Sequence, residues 1–232
     1  MAKENEKISA YTGERPDILR LVPLHSRRIL DVGCSDGTLG DSIKHIVSPC
    51  TVWGMELDPT FAETAKQRLE FVYQGDVDAF FKQEKLPEWK SFDCIIFADI
   101  LEHLQDPWIV LKRAVDELLS ANGVILISLP NIRFWDTLFN LIFRAYWPYR
   151  ERGIHDRTHL RFFAKKNYEE MFGASGLEIV RQSANYRLSE APSPKNRYAA
   201  FMRFFPFRDF FAFQYVFELR KRRTEGFSDC GH

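Results

Sequence analysis

Between residues 28 and 129 the sequence alternates five short apolar runs with stretches of helical spacing. The runs fall at residues 28–32, 51–57, 71–73, 92–98 and 124–129. Between the first two, Leu39, Ile43, Ile46 and Val47 share one helical face across residues 36–47. Pro59 sits where a first helical position is expected, opening a helix to residue 69. Asp106-Pro107 opens another, to residue 119, and Asn122-Gly123 then turns the chain into the fifth run. The fourth run, FDCIIFA, is apolar throughout, which predicts a strand buried on both faces. Strands and helices alternating at this spacing predict an α/β fold with a mostly parallel sheet and helices on both faces. Ligands of such sheets bind beyond the carboxyl ends of the strands, where strand order reverses. The residues just after each run are therefore the place to look.

After the first run come Gly33, Cys34, Ser35, Asp36 and Gly37, with Asp31 just before them. Glu56 closes the second run, Asp76 follows the third and Asp99 the fourth. Three acids thus converge on one rim. Glu56 lies about 20 residues past the glycines, where a carboxylate accepts hydrogen bonds from ribose hydroxyls. Asp76 is placed to accept from an adenine amino group, with a backbone amide from Val77 beside it. Leu57 and Leu101 complete the expected cofactor-binding set. Glycines at 33 and 37 let the backbone approach a ligand closely at a helix start. A pyrophosphate loop would read G-x-G-x-x-G; here Ser35 stands between two glycines spaced G-x-x-x-G. An acid-rich rim also repels phosphate. It suits a ligand with adenosine at one end and a positive charge at the other, as in S-adenosylmethionine (SAM).

The quoted stretches carry a resemblance. ILDVGCSDGTLG is similar to the first motif of class I SAM-dependent methyltransferases, with Ser35 where a glycine is commonest. GMELDP resembles the acidic end of their second strand, GlnGlyAspVal their adenine-contacting turn, and FADILEHLQDP their fourth motif. The resemblance covers roughly residues 10–185 and implies a Rossmann-like, seven-stranded sheet whose last strand is antiparallel. It also implies a helical insertion, rich in aromatics, over the acceptor pocket. One domain spans residues 1–232: a cofactor-binding core to 130, a lid and acceptor region at 131–175, and C-terminal strands and a helix at 176–223. Asp31 either reaches the methionine amino group through water or anchors the loop amides. Asp99 either lines the transfer site or caps the turn that follows. His103 either packs the loop or takes part in catalysis.

The segment IHDRTHLRFF resembles that of a bacterial subgroup linked to methylation of glycans, lipids or ubiquinone-type molecules. His155 and His159 would share a face on a helix. His159, matching the histidine of the related H-L-R-F-F pattern, is the first choice for a general base, and His155 the second; the alternative is that both order a lid. A metal site is not expected, for want of a third ligand. Arg157 and Arg161 are candidates for an anionic acceptor group or ordinary exposed cations. Tyr11 and Trp135 are candidates to face a sulfonium.

Most of the 21 phenylalanines follow residue 130. In NIRFWDTLFNLIFRAYWPYRERG a narrow polar stripe (Arg133, Asp136, Asn140, Arg144) runs along an otherwise apolar helix. Such a helix must be covered. Packing as a lid is the leading expectation; a membrane surface or lipid-bearing substrate, and a homodimer interface, are the others. A second block, from 196 to 211, is expected to be a helix packed on the sheet before a seventh strand at 213–219. Residues 188–195 read as a loop.

With 32 Lys+Arg against 32 Asp+Glu there is no global basic field to collect nucleic acid. The four scattered cysteines form no CxxC and read as reduced thiols, and the polar N-terminus carries no signal-like apolar core, so a cytoplasmic location is expected. A nicotinamide dehydrogenase would want the missing phosphate loop. The remaining rival is a non-catalytic SAM-binding module that retains the same fold.

Overall fold

A computed structural model describes residues 14–89, 91–189, 194–204 and 206–222. The first described element is a single turn, α1 (Pro16–Leu19). The predicted alternation follows: β1 (Arg28–Val32), α2 (Thr38–Ile46), β2 (Thr51–Glu56), α3 (Pro59–Ala65), β3 (Phe71–Gln74), α4 (Val77–Phe81) and β4 (Phe92–Ala98). A 3-10 turn at Leu101–His103 leads to α5 (Pro107–Arg113), which widens into a π turn at Ala114–Leu118. Then come β5 (Leu119–Pro130), α6 (Trp135–Arg144), α7 (Lys165–Ala174), β6 (Leu177–Tyr186) and β7 (Ala212–Lys221).

The seven strands form one sheet in the order β3-β2-β1-β4-β5-β7-β6. β1 to β5 pair in parallel, and β7 runs antiparallel to both β5 and β6. β7 is thus the one strand that opposes the other six, as expected of the last strand. The order reverses between β1 and β4, which puts the loops after these strands at the switch point.

Neighbouring residues of the central strands enter opposite cores, as the two-residue period of a strand demands. Leu30, Ile95, Phe97, Ile125 and Ile127 pack with α4, α5 and α7 on one side. Ile29, Cys94, Ile96 and Leu126 pack with α1, α2 and α3 on the other. This is why FDCIIFA has no polar face: both sides are covered by helices. Each fully buried Ile or Phe contributes about 1.5–3 kcal/mol. Burial also pushes the Cys34 and Cys94 thiols upward, so both stay protonated and inert.

Local chemistry sets where the helices begin. Asp58 accepts from the amides of Thr60 and Phe61, and Pro59 follows at the first position of α3. Asp106 accepts from the Ile109 amide, with Pro107 next. Each such cap is worth about 1 kcal/mol. Asn122-Gly123 does not end one element and start another. The pair sits inside β5, where the register against β4 jumps from Phe92↔Leu119 to Cys94↔Val124, so the predicted turn is a bulge.

Two expectations for the aromatic half fail. The second block is not a helix on the sheet: residues Pro194–Phe204 and Arg208–Phe210 form 3-10 turns, and Phe201, Phe204 and Phe207 are exposed. The first block does form a helix, α6, but among the described residues nothing covers its apolar side. Thr137 and Asn140 are its buried residues, whereas Phe139, Leu141, Ile142 and Phe143 face solvent. Part of the predicted loop at 188–195 lies outside the described residues, as does Tyr11.

Candidate active site

The loop after β1 is built from left-handed backbone. Gly33, Ser35 and Gly37 have φ of 77°, 49° and 80°. Glycine reaches this region freely; for serine it is strained by about 1–2 kcal/mol. Glu56, at the end of β2, supports the strained residue: its Oε2 accepts from the Ser35 amide at 2.8 Å, and its Oε1 from the Asp58 amide at 2.8 Å. The amides of Gly33 and Cys34 both donate to the Met55 carbonyl. A Cβ on Gly33 would come within 2.9 Å of Ile100 Cδ1, so this position is closed by sterics as well as by φ. Gly37 acts differently. A Cβ there would meet Ala65 Cα at 3.1 Å, so its bare backbone lets α2 start against α3.

A cavity of about 670 Å³ opens beside this loop. Its lining includes Asp31, Gly33, Ser35, Glu56, Leu57, Asp99 and His159. Seven of the predicted site residues therefore meet around one space. Gly37, Asp76, Val77, Leu101 and His155 are not part of that lining. Asp76 is exposed and caps α4 by accepting from the Ala79 amide at 2.7 Å. Val77 and Leu101 are buried in the core cluster. His155 is fully buried with its ring edge-on to Trp147 at 4.9 Å. Residues 154–164 are turns and irregular chain, not helix, so the two histidines do not share a helical face. Trp135 is also outside the lining, its Nε1 donating to the Leu188 carbonyl at 3.1 Å. Arg157 is exposed and pairs with Glu151, and Arg161 donates to the Gln105 carbonyl.

Asp99 does not cap the turn after β4; that turn has no side-chain cap. Its backbone is left-handed (φ 56°), and its carboxylate is a hub. Arg15 Nη1 donates to Oδ2 at 2.8 Å, Ser128 Oγ donates to Oδ1 at 2.7 Å, and Gln214 Nε2 also donates to Oδ1. Asp31 is 1% exposed, and its Oδ2 has no hydrogen-bond partner. Burial, with a smaller push from the charge of Glu56, raises its pKa to about 7 against the pull of Arg15. Ser35 Oγ is likewise buried without a partner. Orphaned polar atoms of this kind call for a ligand. Asp31 and Ser35, beside a Glu56 carboxylate with lone pairs to spare, fit the ammonium and hydroxyl groups of SAM.

Arg15 had no signal in the sequence. Glu102 was visible only as part of LEH, and its side chain is 2% exposed. Its backbone carbonyl accepts from the amides of Leu160 and Arg161, which brings His159 alongside. His159 Nδ1 lies 3.1 Å from the Ile154 carbonyl, an arrangement that puts the hydrogen on Nδ1 and the lone pair on Nε2. Nε2 lies 3.9 Å from Glu102 Oε1, and Glu102 Oε2 has no partner. Burial and the neighbouring His103 hold the His159 pKa down to about 4. Burial, then the charge of Asp99, pushes Glu102 well above the usual carboxylate range. The His103 and His159 rings meet edge-on at 4.6 Å, and Thr158 Oγ1 lies 3.0 Å from His103 Nδ1. Glu102, His103 and His159 each place one donor atom within 4.8 Å of the others. Donors around a tetrahedral zinc stand closer, about 3.3 Å apart.

A cavity at the switch point, lined by Asp31, Glu56 and Asp99 and also by His159, has the carboxylate-rich lining that suits SAM. The profile described as "Methyltransferase domain" matches residues 7–182, and the chain belongs to that family. The ubiquinone biosynthesis O-methyltransferase of Coxiella burnetii (strain RSA 331 / Henzerling II) is 25% identical over 167 residues, spanning 68% of this chain and 67% of the relative. That of Neisseria meningitidis serogroup C (strain 053442) is 26% identical over 161 residues, spanning 68% and 66%. Among solved structures, a SAM-dependent methyltransferase from Archaeoglobus fulgidus superposes with a TM-score of 0.62 at 16% identity, covering 88% of this chain and 91% of that one. Magnesium protoporphyrin IX methyltransferase from Synechocystis PCC 6803, solved with bound S-adenosylhomocysteine, gives 0.57 at 11% identity, covering 94% and 83%.

Proposed function

We propose that the chain methylates an oxygen of a small-molecule, glycan or lipid-intermediate acceptor, with His159 as general base. The observation that carries this reading is that His159 lines the cavity that Asp31, Ser35 and Glu56 also line, with Nδ1 placed to donate to the Ile154 carbonyl so that Nε2 keeps the lone pair. SAM, when bound, supplies a methyl group already activated by its sulfonium. The protein's work is then alignment, exclusion of water and removal of one proton. Glu56 and the Ser35 loop hold the nucleoside; Asp31 holds the ammonium. The acceptor hydroxyl hydrogen-bonds to Nε2. Bound SAM would supply the methyl group for the new C–O bond, its sulfur keeping the electrons of the broken C–S bond, and His159 Nε2 would take the hydroxyl proton. Glu102 Oε1 lies 3.9 Å from that nitrogen, and the positive charge formed on His159 favours the ionised carboxylate that burial otherwise opposes. The relatives named as O-methyltransferases favour oxygen over nitrogen or carbon as acceptor.

Labelled SAM offered with panels of phenols, glycans and lipid-linked hydroxyl compounds tests the reading. Transfer of label to an oxygen is expected. His159→Ala should bind SAM as the wild type does and lose about 10²–10⁴-fold in kcat. Unchanged turnover by that variant would remove the base. SAM binding without transfer to any member of the panels would favour the non-catalytic module.

A further inference from the structure

α6 is inside out. A helix that packs on its own domain turns its apolar stripe inward. Here Thr137 and Asn140 are buried, and Asp136, tied to Arg150 at 3.2 Å, is partly covered. The residues at 139, 142 and 143 repeat at helical spacing on the outside. Ile142 and Phe143 are 68% and 74% exposed, with Phe139, Leu141, Tyr146 and Tyr149 exposed around them. The base of α6 adjoins the second aromatic block: Arg133 lies over the Phe210 ring at 4.9 Å. Phe201, Phe204 and Phe207 in that block are exposed as well. Apolar surface on this scale marks a binding face.

Charge says what covers it. Residues 131–166 hold eight Lys/Arg against three Asp/Glu, in a chain that balances 32 against 32. Arg144 points its guanidinium over Phe139, and Arg203 over Phe204; neither has a carboxylate partner among the described residues. A second copy would set these cations against their own kind. Aliphatic Leu141 and Ile142 are poor stacking platforms for nucleobases. Aliphatic and aromatic side chains bordered by tyrosines and arginines match the acyl–headgroup boundary of an anionic bilayer. The ten residues of α6 span about 15 Å, enough to lie in that boundary but not to cross it. Among the described residues no helix is long and apolar enough to cross a membrane.

We propose that the outer face of α6, with the exposed phenylalanines 201, 204 and 207, docks this protein on an anionic lipid surface. The inference does not rest on the identity of the acceptor or on the base. It does bear on them, because Arg152, Gly153, Asp156 and Thr158, just past α6, line the cavity.

Co-sedimentation of the full chain with phosphatidylcholine vesicles, with and without phosphatidylglycerol, tests it. Binding to the anionic vesicles is expected, weakened at least tenfold by Ile142→Glu with Phe143→Glu, weakened severalfold by Arg144→Glu, and weakened by salt. SAM titration of the variants reports on their folding; if the double variant fails that control, Arg144→Glu alone carries the test. Absent binding, equal binding to both vesicle types, or full binding by the folded variants would overturn the proposal. So would a dimer in sedimentation analysis that the double variant dissociates.

Discussion

The Arg15 guanidinium meets the Asp99 carboxylate at 2.8 Å, across 84 positions of chain. It also donates to Asp17 and, at 2.9 Å, to Ser128 Oγ. One side chain thereby fastens the start of the described chain to the ends of β4 and β5 and closes one wall of the cavity. Removing it leaves Asp99 with two neutral donors. Arg15→Met should cost about 1–2 kcal/mol in urea unfolding, the low end for a charge-assisted bond because Asp99 is 39% exposed. Arg15→Lys should recover less than half, since an ammonium cannot reproduce the fork.

Asp31 gives SAM binding a pH dependence. Its pKa is raised from 3.8 to about 7, mainly by burial, so the folded protein without ligand holds a proton that the unfolded chain has lost. Its contribution to stability is therefore greatest in acid and declines as pH rises from about 4 to 7. A ligand ammonium selects the carboxylate. Calorimetric affinity for SAM should rise towards tenfold per pH unit below about 7 and level off above it. Asp31→Asn should bind weakly with a flat profile; a wild-type slope in that variant would assign the titration to another group.

Glu102 can be separated from a purely structural residue by its pH profile. His159, with a pKa of about 4, stays unprotonated through neutral pH, so kcat at saturating SAM and acceptor should hold level down to roughly pH 5. Glu102→Gln keeps the shape and the backbone bonds to Leu160 and Arg161. It should retain SAM affinity, lose about 10–100-fold in kcat and alter the acid limb. Equal losses in SAM affinity and kcat would point to a disturbed fold instead.

At Gly33 two costs can be told apart. Gly33→Ala combines a left-handed φ with the 2.9 Å approach to Ile100 Cδ1, and should destabilise by about 1–3 kcal/mol in thermal or urea unfolding. Adding Ile100→Val removes the nearest atom but not the backbone strain, so it should restore only part of the loss. Complete rescue would mean that φ carries no cost.

Local signals were legible wherever a single stretch of chain sufficed. The apolar runs, the Asp-Pro starts and the glycines of the first loop placed β1 and β4 to the residue. They also led to three acids, Glu56, Asp76 and Asp99, on one rim, of which Glu56 and Asp99 line the cavity and Asp76 does not. Asp76, expected at the adenine, lies outside the cavity lining and caps α4, because an acid after a strand serves a helix cap as well as it serves a ligand. The His155–His159 spacing was read on a helix that residues 154–164 do not form.

The sequence by itself determined the order of strands and helices, the strand-end acids and the amphipathic character of residues 135–144. Those follow from side-chain period and backbone preference, which act within a few residues. Tertiary structure alone decided that α6 turns Thr137 and Asn140 to the core, that Arg15 reaches Asp99, and that Glu102 stands beside His159. A periodic pattern states that a helix has two faces, but which face is covered depends on what the rest of the chain brings against it. Burial then shifts the proton affinities of Asp31, Glu102 and His159, and burial is a property of the packed molecule.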